Sequence, residues 1–382
     1  MTQSRRKFLS IIGGGVILAA TAAGGYAVTR SPRTALAPWA DAGREEEPRR
    51  RALSFALLAP NPHNRQPWRV DLSRPDEVVL YVDTTRLLPE TDPYNRQITI
   101  GLGCFMELMR MAAAEQGYRV EIQPFPEGED PAALDARPVA RARFVADPGL
   151  ARDPLFAHVM ARRSVKEPYD TARAVSPDVL ATLAAAATAG TRFGGSVEQA
   201  DIASFRALTR EALRIEFVTP RTFKESVDLF RIGHREVDAN PDGIDLSGPM
   251  FETLSLLGLF TREAALDPSS SSFKGGLDSV YANVDTAMGH IWLVSAGNSR
   301  AEQIAAGADW LRVNLAATGI GLAMQPLSQA LQEFPEMAEL YTGIHRRLAP
   351  DGGTVQMFGR IGYGPSVAPS PRWPLEAKIV KA

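Results

Sequence analysis

The run TIGLGCFMELMRMAAAEQGY, Thr99 to Tyr118, is predicted to form a long buried helix ending on Gly117. A strand, RVEIQPF (Arg119 to Phe125), follows it. The same plan returns in EQIAAGADWLRVNLAATGIGLAMQPL, Glu302 to Leu327: a small-residue helix, a glycine, a short strand and a Gln-Pro. Gly103 aligns with Gly307, Ala112-Ala113 with Ala316-Ala317, and Gly117 with Gly321, all at an offset of 204 residues. The strands then reach IQP and MQP two residues out of step. Alanine-rich helices are common, but with similar strands after both the pattern indicates an internal duplication. Small residues let two helices approach closely, so the pair is expected to pack at a shared interface between two fused halves.

Outward from these helices, RRRALSFALLAP has helical spacing and stops at Pro60, which cannot continue a helix. EVVLYVD (Glu77 to Asp83) and ARARFVAD (Ala140 to Asp147) read as strands. The expected divisions are a signal over 1–37, a linker over 38–48, a first half over 49–150 and a second over 151–382. Within the second half, the uneven tract from Arg214 to Leu277, containing PMFETLSLLGLF, is expected to be a lid. The 382 residues are 45% hydrophobic with a formal net charge of −2, enough to bury a core and without the basicity that would suggest nucleic acid.

The N-terminus has its own chemistry. SRRKFL (Ser4 to Leu9) precedes SIIGGGVILAATAAGGYAV, an apolar run loosened by glycines. This resembles the twin-arginine signal, read by an export receptor that passes folded proteins, and implies a periplasmic or other extracytoplasmic location. Ala35-Leu36-Ala37 offers a small-x-small cleavage site. The alternative is an uncleaved membrane anchor. The lone cysteine, Cys104, lies in an apolar run and reads as a buried small hydrophobe.

Three stretches carry chemistry. APNPHNRQPWRV, Ala59 to Val70, crowds prolines, amides, a histidine and a tryptophan after a helix. Its plain reading is a helix-terminating loop whose amides satisfy backbone groups, with Trp68 a core anchor and His63 a solvated loop residue. ARRSVKEPYD places Arg162, Arg163, Ser164 and Lys166 at what reads as the end of an amphipathic helix, the equipment of an anion site. Alone, a solvated basic helix end would explain it. Arg372, held between Pro371 and Trp373-Pro374, is pre-placed and could complete a phosphate clamp. No Cys, His and carboxylate cluster has metal-ligand spacing, and no nucleophile motif is present.

HNRQPWRV, RRSVKEPYD and PRWPLEAKI together resemble the nitroreductase family of FMN proteins, and within it the single-chain, flavin-sequestering Acg-like branch. The resemblance implies an α+β nitroreductase-like fold, its two fused halves forming an intrachain pseudo-dimer and acting as a monomer. It places Arg162, Arg163, Ser164 and Lys166 at the FMN phosphate and ribityl chain, with Arg372 closing the phosphate site. Asn64 and Gln66 would reach the ring's polar edge or the ribityl hydroxyls. Gln325, Pro326, Leu327 and Ser328, in AMQPLSQA, would pass near the reactive nitrogen. The motifs are divided: the first half keeps NRQPW, the second keeps RRSVK, so one flavin site is expected rather than two. The implied activity is an exported FMN oxidoreductase taking electrons from NAD(P)H or another donor to a nitroaromatic, a quinone or another small-molecule acceptor. The alternative is an FMN-sequestering protein with a lidded flavin and little turnover; a third reading is a cofactor-free binding module.

Overall fold

The computed structural model describes residues 32–380; the charged start and apolar run of the signal lie outside the described residues. In the first half a short helix α1 (Ala37–Asp41) leads to α2 (Pro48–Ala56), then β1 (Trp68–Asp71), β2 (Glu77–Val82), α3 (Arg96–Ala114), β3 (Tyr118–Pro124) and β4 (Ala140–Ala146). Pro48 opens α2 at the one position where a missing N–H costs nothing, and the Glu47 carboxylate accepts the Arg50 N–H at 2.9 Å. Asp92 does the same for α3, accepting from Gln97 N and Ile98 N.

The second half runs α4 (Asp178–Ala186), β5 (Arg192–Ser196), α5 (Gln199–Val218), α6 (Pro220–Asp228), β6 (Phe230–Ile232), α7 (Gly233–Ala239), β7 (Ile244–Leu246), α8 (Pro249–Leu256), α9 (Arg262–Leu266) and α10 (Ser271–Val284). It continues through β8 (Gly289–Ser295), α11 (Arg300–Gly319), β9 (Ala323–Pro326), α12 (Ala338–Leu348), β10 (Thr354–Gly362) and β11 (Ile379–Val380). The fold is α+β, and the duplication is visible in its topology. One sheet has the order β1-β2-β4-β3 and the other β5-β8-β10-β9, antiparallel throughout, with α3 or α11 between the second and third strands of each. β11 alone breaks the match: the end of the chain returns to the first half and pairs in parallel with β1, Val70 opposite Ile379.

The two repeated helices cross backbone to backbone. A methyl on Gly103 would stand 2.2 Å from the Ile304 carbonyl oxygen, and one on Gly307 2.0 Å from that of Ile100. Ile304 is Ile100 advanced by 204, so the contact is reciprocal, as a two-fold axis requires. The arginines that open the helices obey the same rule. Buried Arg96 reaches into the second half, to the carbonyls of Leu331 (2.6 Å) and Gln356 (2.7 Å). Buried Arg300 reaches into the first, to those of Asp130 (3.1 Å) and Pro131 (3.3 Å). Cys104 donates its thiol to the Gly307 carbonyl at this crossing, 1% exposed, with burial pushing it up to about 12.

The structure differs from the expected divisions in two places. The first half joins its first two strands through residues 72–76, the second half through residues 197–288, so the insertion starts earlier than Arg214, which lies inside α5. It carries apolar clusters of its own, around Phe223, Val227 and Phe273 and around Ile232, Leu254 and Phe260. Residues 38–48, expected as a linker, contain α1, and Trp39 is only 7% exposed. The charged run that follows it, Arg44 to Glu47, conceals that anchor in the sequence.

Candidate functional site

At the C-terminal end of α2 the carbonyls of Leu57, Leu58 and Ala59 lack helical partners, and Arg372 takes all three, at 2.7, 3.2 and 3.1 Å. Its remaining donors go to Asn64 Oδ1 (2.6 Å), Ser370 Oγ (2.7 Å) and the Pro371 carbonyl (2.8 Å). Arg162 shares the Leu58 carbonyl at 3.0 Å and bonds Asn314 Oδ1, on α11, at 3.0 Å. Both guanidinium groups are buried, and neither meets a carboxylate among the described residues. Burial, with the charges of Arg162 and Arg163, pushes Arg372 down to about 9; burial pushes Arg162 down to about 10. Arginine stays protonated at neutral pH, so two adjacent buried cations stand without a counter-ion, a costly state that an anion would relieve.

Arg163 adds a third charge beside them. Its guanidinium lies 4.7 Å from the centre of the Trp39 ring, and its Nε is buried with no partner. The segment that follows is irregular, not the end of an amphipathic helix as its cations suggested. Only Pro154–His158 forms a helical turn, and Val165 N–H instead joins the Met324 carbonyl beside β9 at 3.0 Å. Arg360, fully buried on β10, fixes this path. It donates to the carbonyls of Val165 (3.3 Å) and Glu167 (2.8 Å) and to Gln325 Oε1 (2.6 Å), and lies over the Tyr169 ring at 3.8 Å.

Ser164 and Lys166 carry no hydrogen bond or ion pair to a described residue. Lys166 keeps accessible surface, yet protein hems its ammonium in enough for burial to lower it below the usual lysine range, with Glu216 opposing. His63, held at a left-handed φ of 47° and half-buried, is pushed down to about 4 by burial, Lys166 and Arg65, and is neutral at pH 7. The histidine expected to be solvated at this position is therefore partly enclosed by protein. Glu216, at the end of α5, is pushed up to about 7 by burial, against hydrogen bonds from Gln332 (3.1 Å), Gln329 and Ser226.

The amide loop works differently from what the resemblance implied. Gln66 is fully buried and both ends of its side chain are spent on protein: Nε2 donates to the Pro241 carbonyl (2.7 Å), and Oε1 accepts Trp373 N–H (2.9 Å). Asn64 is divided between the Pro371 carbonyl (3.0 Å) and Arg372. These amides knit three separate segments together instead of presenting themselves to a ligand. Trp68 is the expected core anchor, stacked 4.8 Å from Phe105. In the AMQPLSQA stretch, Gln325 holds Arg360, Pro326 pairs with Gly359 on β10, and the Leu327 side chain is in the core. Ser328 is half-buried and begins a helical turn. Sequence reasoning missed Trp39, Arg360, Asn314 and Glu216. Each sits far along the chain from the motif it serves, and no local pattern marks it.

The insertion closes over the amide loop. Asp242, 4% exposed, gathers Arg65 (3.5 Å) and Arg86 of the first half with Arg231 (2.7 Å) of its own segment. Gly243 N–H bonds the Asn64 carbonyl at 3.3 Å, and Glu225 accepts the backbone N–H groups of Glu90 and Thr91.

No protein-family model matches the chain. It is 33% identical over 96 residues to "Putative NAD(P)H nitroreductase acg" of Mycobacterium tuberculosis, covering 25% of this chain and only 29% of that relative. Over 331 residues it is 25% identical to "Putative NAD(P)H nitroreductase Rv3131" of the same organism, covering 85% of this chain and 88% of the relative. Among solved structures, the FMN-dependent nitroreductase NfnB of Mycobacterium smegmatis in complex with NADPH gives a TM-score of 0.34 at 16% identity, over 59% of this chain and 96% of that one, a likeness too low to carry an argument. The similarity to Rv3131 runs through both halves of this chain.

Proposed function

We propose that the chain is an FMN-binding oxidoreductase of nitroreductase type with a single cofactor site. The observation that carries this is the pair of buried, uncompensated guanidinium groups of Arg162 and Arg372, followed along the chain by the unpartnered Ser164 and Lys166. The residues fit a phosphate with an extended polar chain beyond it. Arg162, Arg163 and Ser164 would hold the phosphate, while Arg372 contributes charge from behind, its donors being already committed. Lys166 would place a positive charge beside the ring, favouring electron density there. Neutral His63 would offer a hydrogen bond without adding charge. A bound flavin would supply the two-electron chemistry; this chain's residues position it and shape its surroundings. The relatives' names support NAD(P)H as donor and a nitro compound as acceptor, a quinone being the other acceptor considered, and the twin-arginine-like start supports an extracytoplasmic location, which fractionation of the native host would test.

A second reading, FMN held without turnover, is favoured by the insertion, whose Asp242 cluster latches it across the amide loop. One measurement separates the two: the absorbance spectrum of protein purified from its native host, followed by anaerobic titration with NADH and NADPH. About one FMN per chain, bleached by either nucleotide, is the expected result. Tight FMN that neither nucleotide bleaches would favour sequestration, and absence of flavin after incubation with FMN would sink both.

A further inference from the structure

The segment just before α1 offers the small-x-small motif Ala35-Leu36-Ala37, and it is built into the arginine cluster. Asp238, on α7 of the insertion, accepts from Arg33 N–H, Ala35 N–H and Thr34 Oγ1, each at 3.0 Å. The Ala35 carbonyl accepts the backbone N–H of Arg372 at 2.8 Å, so both polar backbone groups of Ala35 are engaged, and the residue is 1% exposed. One turn on, Trp39 Nε1 donates to the Ser370 carbonyl at 2.8 Å. Its ring lies against Arg163 at 4.7 Å and Arg372 at 5.8 Å. An aromatic face attracts a guanidinium without carrying a charge of its own, so Trp39 closes the cation cluster without neutralising it.

We propose that Arg33–Asp41 is a wall of the anion site, strapped shut by Asp238, and that the motif at Ala35–Ala37 is retained rather than used as a processing site. A peptidase needs an accessible extended chain, whereas this motif is helical and its Ala35 is buried with both backbone groups hydrogen-bonded. Cutting after Ala37 would strip Asp238 of three donors and leave the Arg372 N–H without its acceptor. It would also free the first helical turn that carries Trp39. The apolar run upstream would then leave, if at all, by a cut before Arg33.

The retention claim is independent of what the site binds; the wall claim rests on the anion site proposed above. Intact-mass analysis of the full chain recovered from the native host tests the first. A mature N-terminus at Arg33 or earlier is expected, and one at Pro38 would overturn the proposal. For the second, full-length Trp39→Ala and Trp39→Phe are titrated with pyrophosphate and with FMN. We expect Trp39→Ala to weaken both about tenfold and Trp39→Phe to recover most of the loss, with the thermal midpoints measured alongside to exclude unfolding. Unchanged affinity in a folded Trp39→Ala would overturn the wall. Pyrophosphate binding that depends on Trp39, in a protein that ignores FMN, would keep this inference and remove the flavin reading instead.

Discussion

Gly307→Ala tests the duplicated core where it is least forgiving. The added methyl would stand 2.0 Å from the Ile100 carbonyl oxygen, with Cys104 N and Gly103 Cα both at 2.9 Å. A methyl carbon needs about 3.3 Å from a carbonyl oxygen, so the two helices must separate by about 1.3 Å. The three nearest neighbours are all backbone, and no side-chain rotation can relieve the clash. Overpacking of this kind costs about 1–3 kcal/mol, and an opened gap of 0.5–1 Å forfeits a quarter to a half of each dispersion contact along the crossing. Alanine returns about 1 kcal/mol in helix propensity. The net expectation is a loss of roughly 2 kcal/mol or more, seen as a lower urea midpoint at unchanged slope. Gly103→Ala should cost the same within error, since its methyl meets Ile304 in the reciprocal way. The double variant should cost less than the sum, because one separation accommodates both methyls. A midpoint for Gly307→Ala that stays put or rises would refute the backbone contact, and with it the argument that the halves meet as a two-fold pair.

Arg372→Ala should destabilise the protein by roughly 3 kcal/mol, since three carbonyls at the end of α2 and Asn64 Oδ1 lose their donor. Arg372→Lys should restore the charge but not the fork, so FMN affinity should recover further than the urea midpoint does. Asp242→Asn removes the counter-ion shared by Arg65, Arg86 and Arg231; trypsin should then cut within residues 219–270 much faster than wild type, while α3 and α11 stay protected from hydrogen exchange. Glu216 supplies a pH test. Its carboxyl is pushed up from 4.5 to about 7, so between those values the folded state holds the proton and the unfolded state does not. Stability should therefore fall as pH rises through that window, and Glu216→Gln should flatten the fall in urea unfolding measured from pH 4.5 to 8.

The two small-residue helices, the helix before Pro60, three strands of the first half, the short strand after the second repeated helix and the duplication were legible because they rest on local pattern: small residues at helical spacing, a terminating glycine, alternating strands. The arginine cluster was legible for a related reason, since Arg162, Arg163, Ser164 and Lys166 fall within five consecutive positions, RRSVK. What local pattern cannot supply is the partner of a polar side chain. Asn64 and Gln66 carry the same amides whether they face a ligand or a backbone carbonyl, and here Pro241 and Pro371, far along the chain, take them. Trp39 was hidden for another reason: it follows the small-residue run Ala35-Leu36-Ala37 that reads as a processing site, and one large apolar side chain has no period to betray it. The insertion's start was misplaced because α5 begins with ordinary amphipathic spacing, and only the strand order shows that everything from 197 to 288 replaces a five-residue hairpin loop.

The same symmetry explains why one site is expected where the fold offers two places for it. Subtracting 204 from Asn314, which receives Arg162, gives Arg110. There the helix presents a cation, tied to Glu107 at 2.6 Å, with Arg312 bridging Glu107 and Asp153 close by. A guanidinium corresponding to Arg162 would meet a like charge, and a phosphate would meet two carboxylates. α4, the counterpart of α2, has its terminal Ala186 carbonyl taken by Arg312 from within the second half, not by an arginine from a returning tail. The tail has only one end, and β11 spends it on the first half. A binding isotherm for FMN should therefore saturate at one per chain. Saturation at two would mean that the carboxylates around Arg110 do not exclude an anion, and the division of motifs between the halves would lose its physical ground.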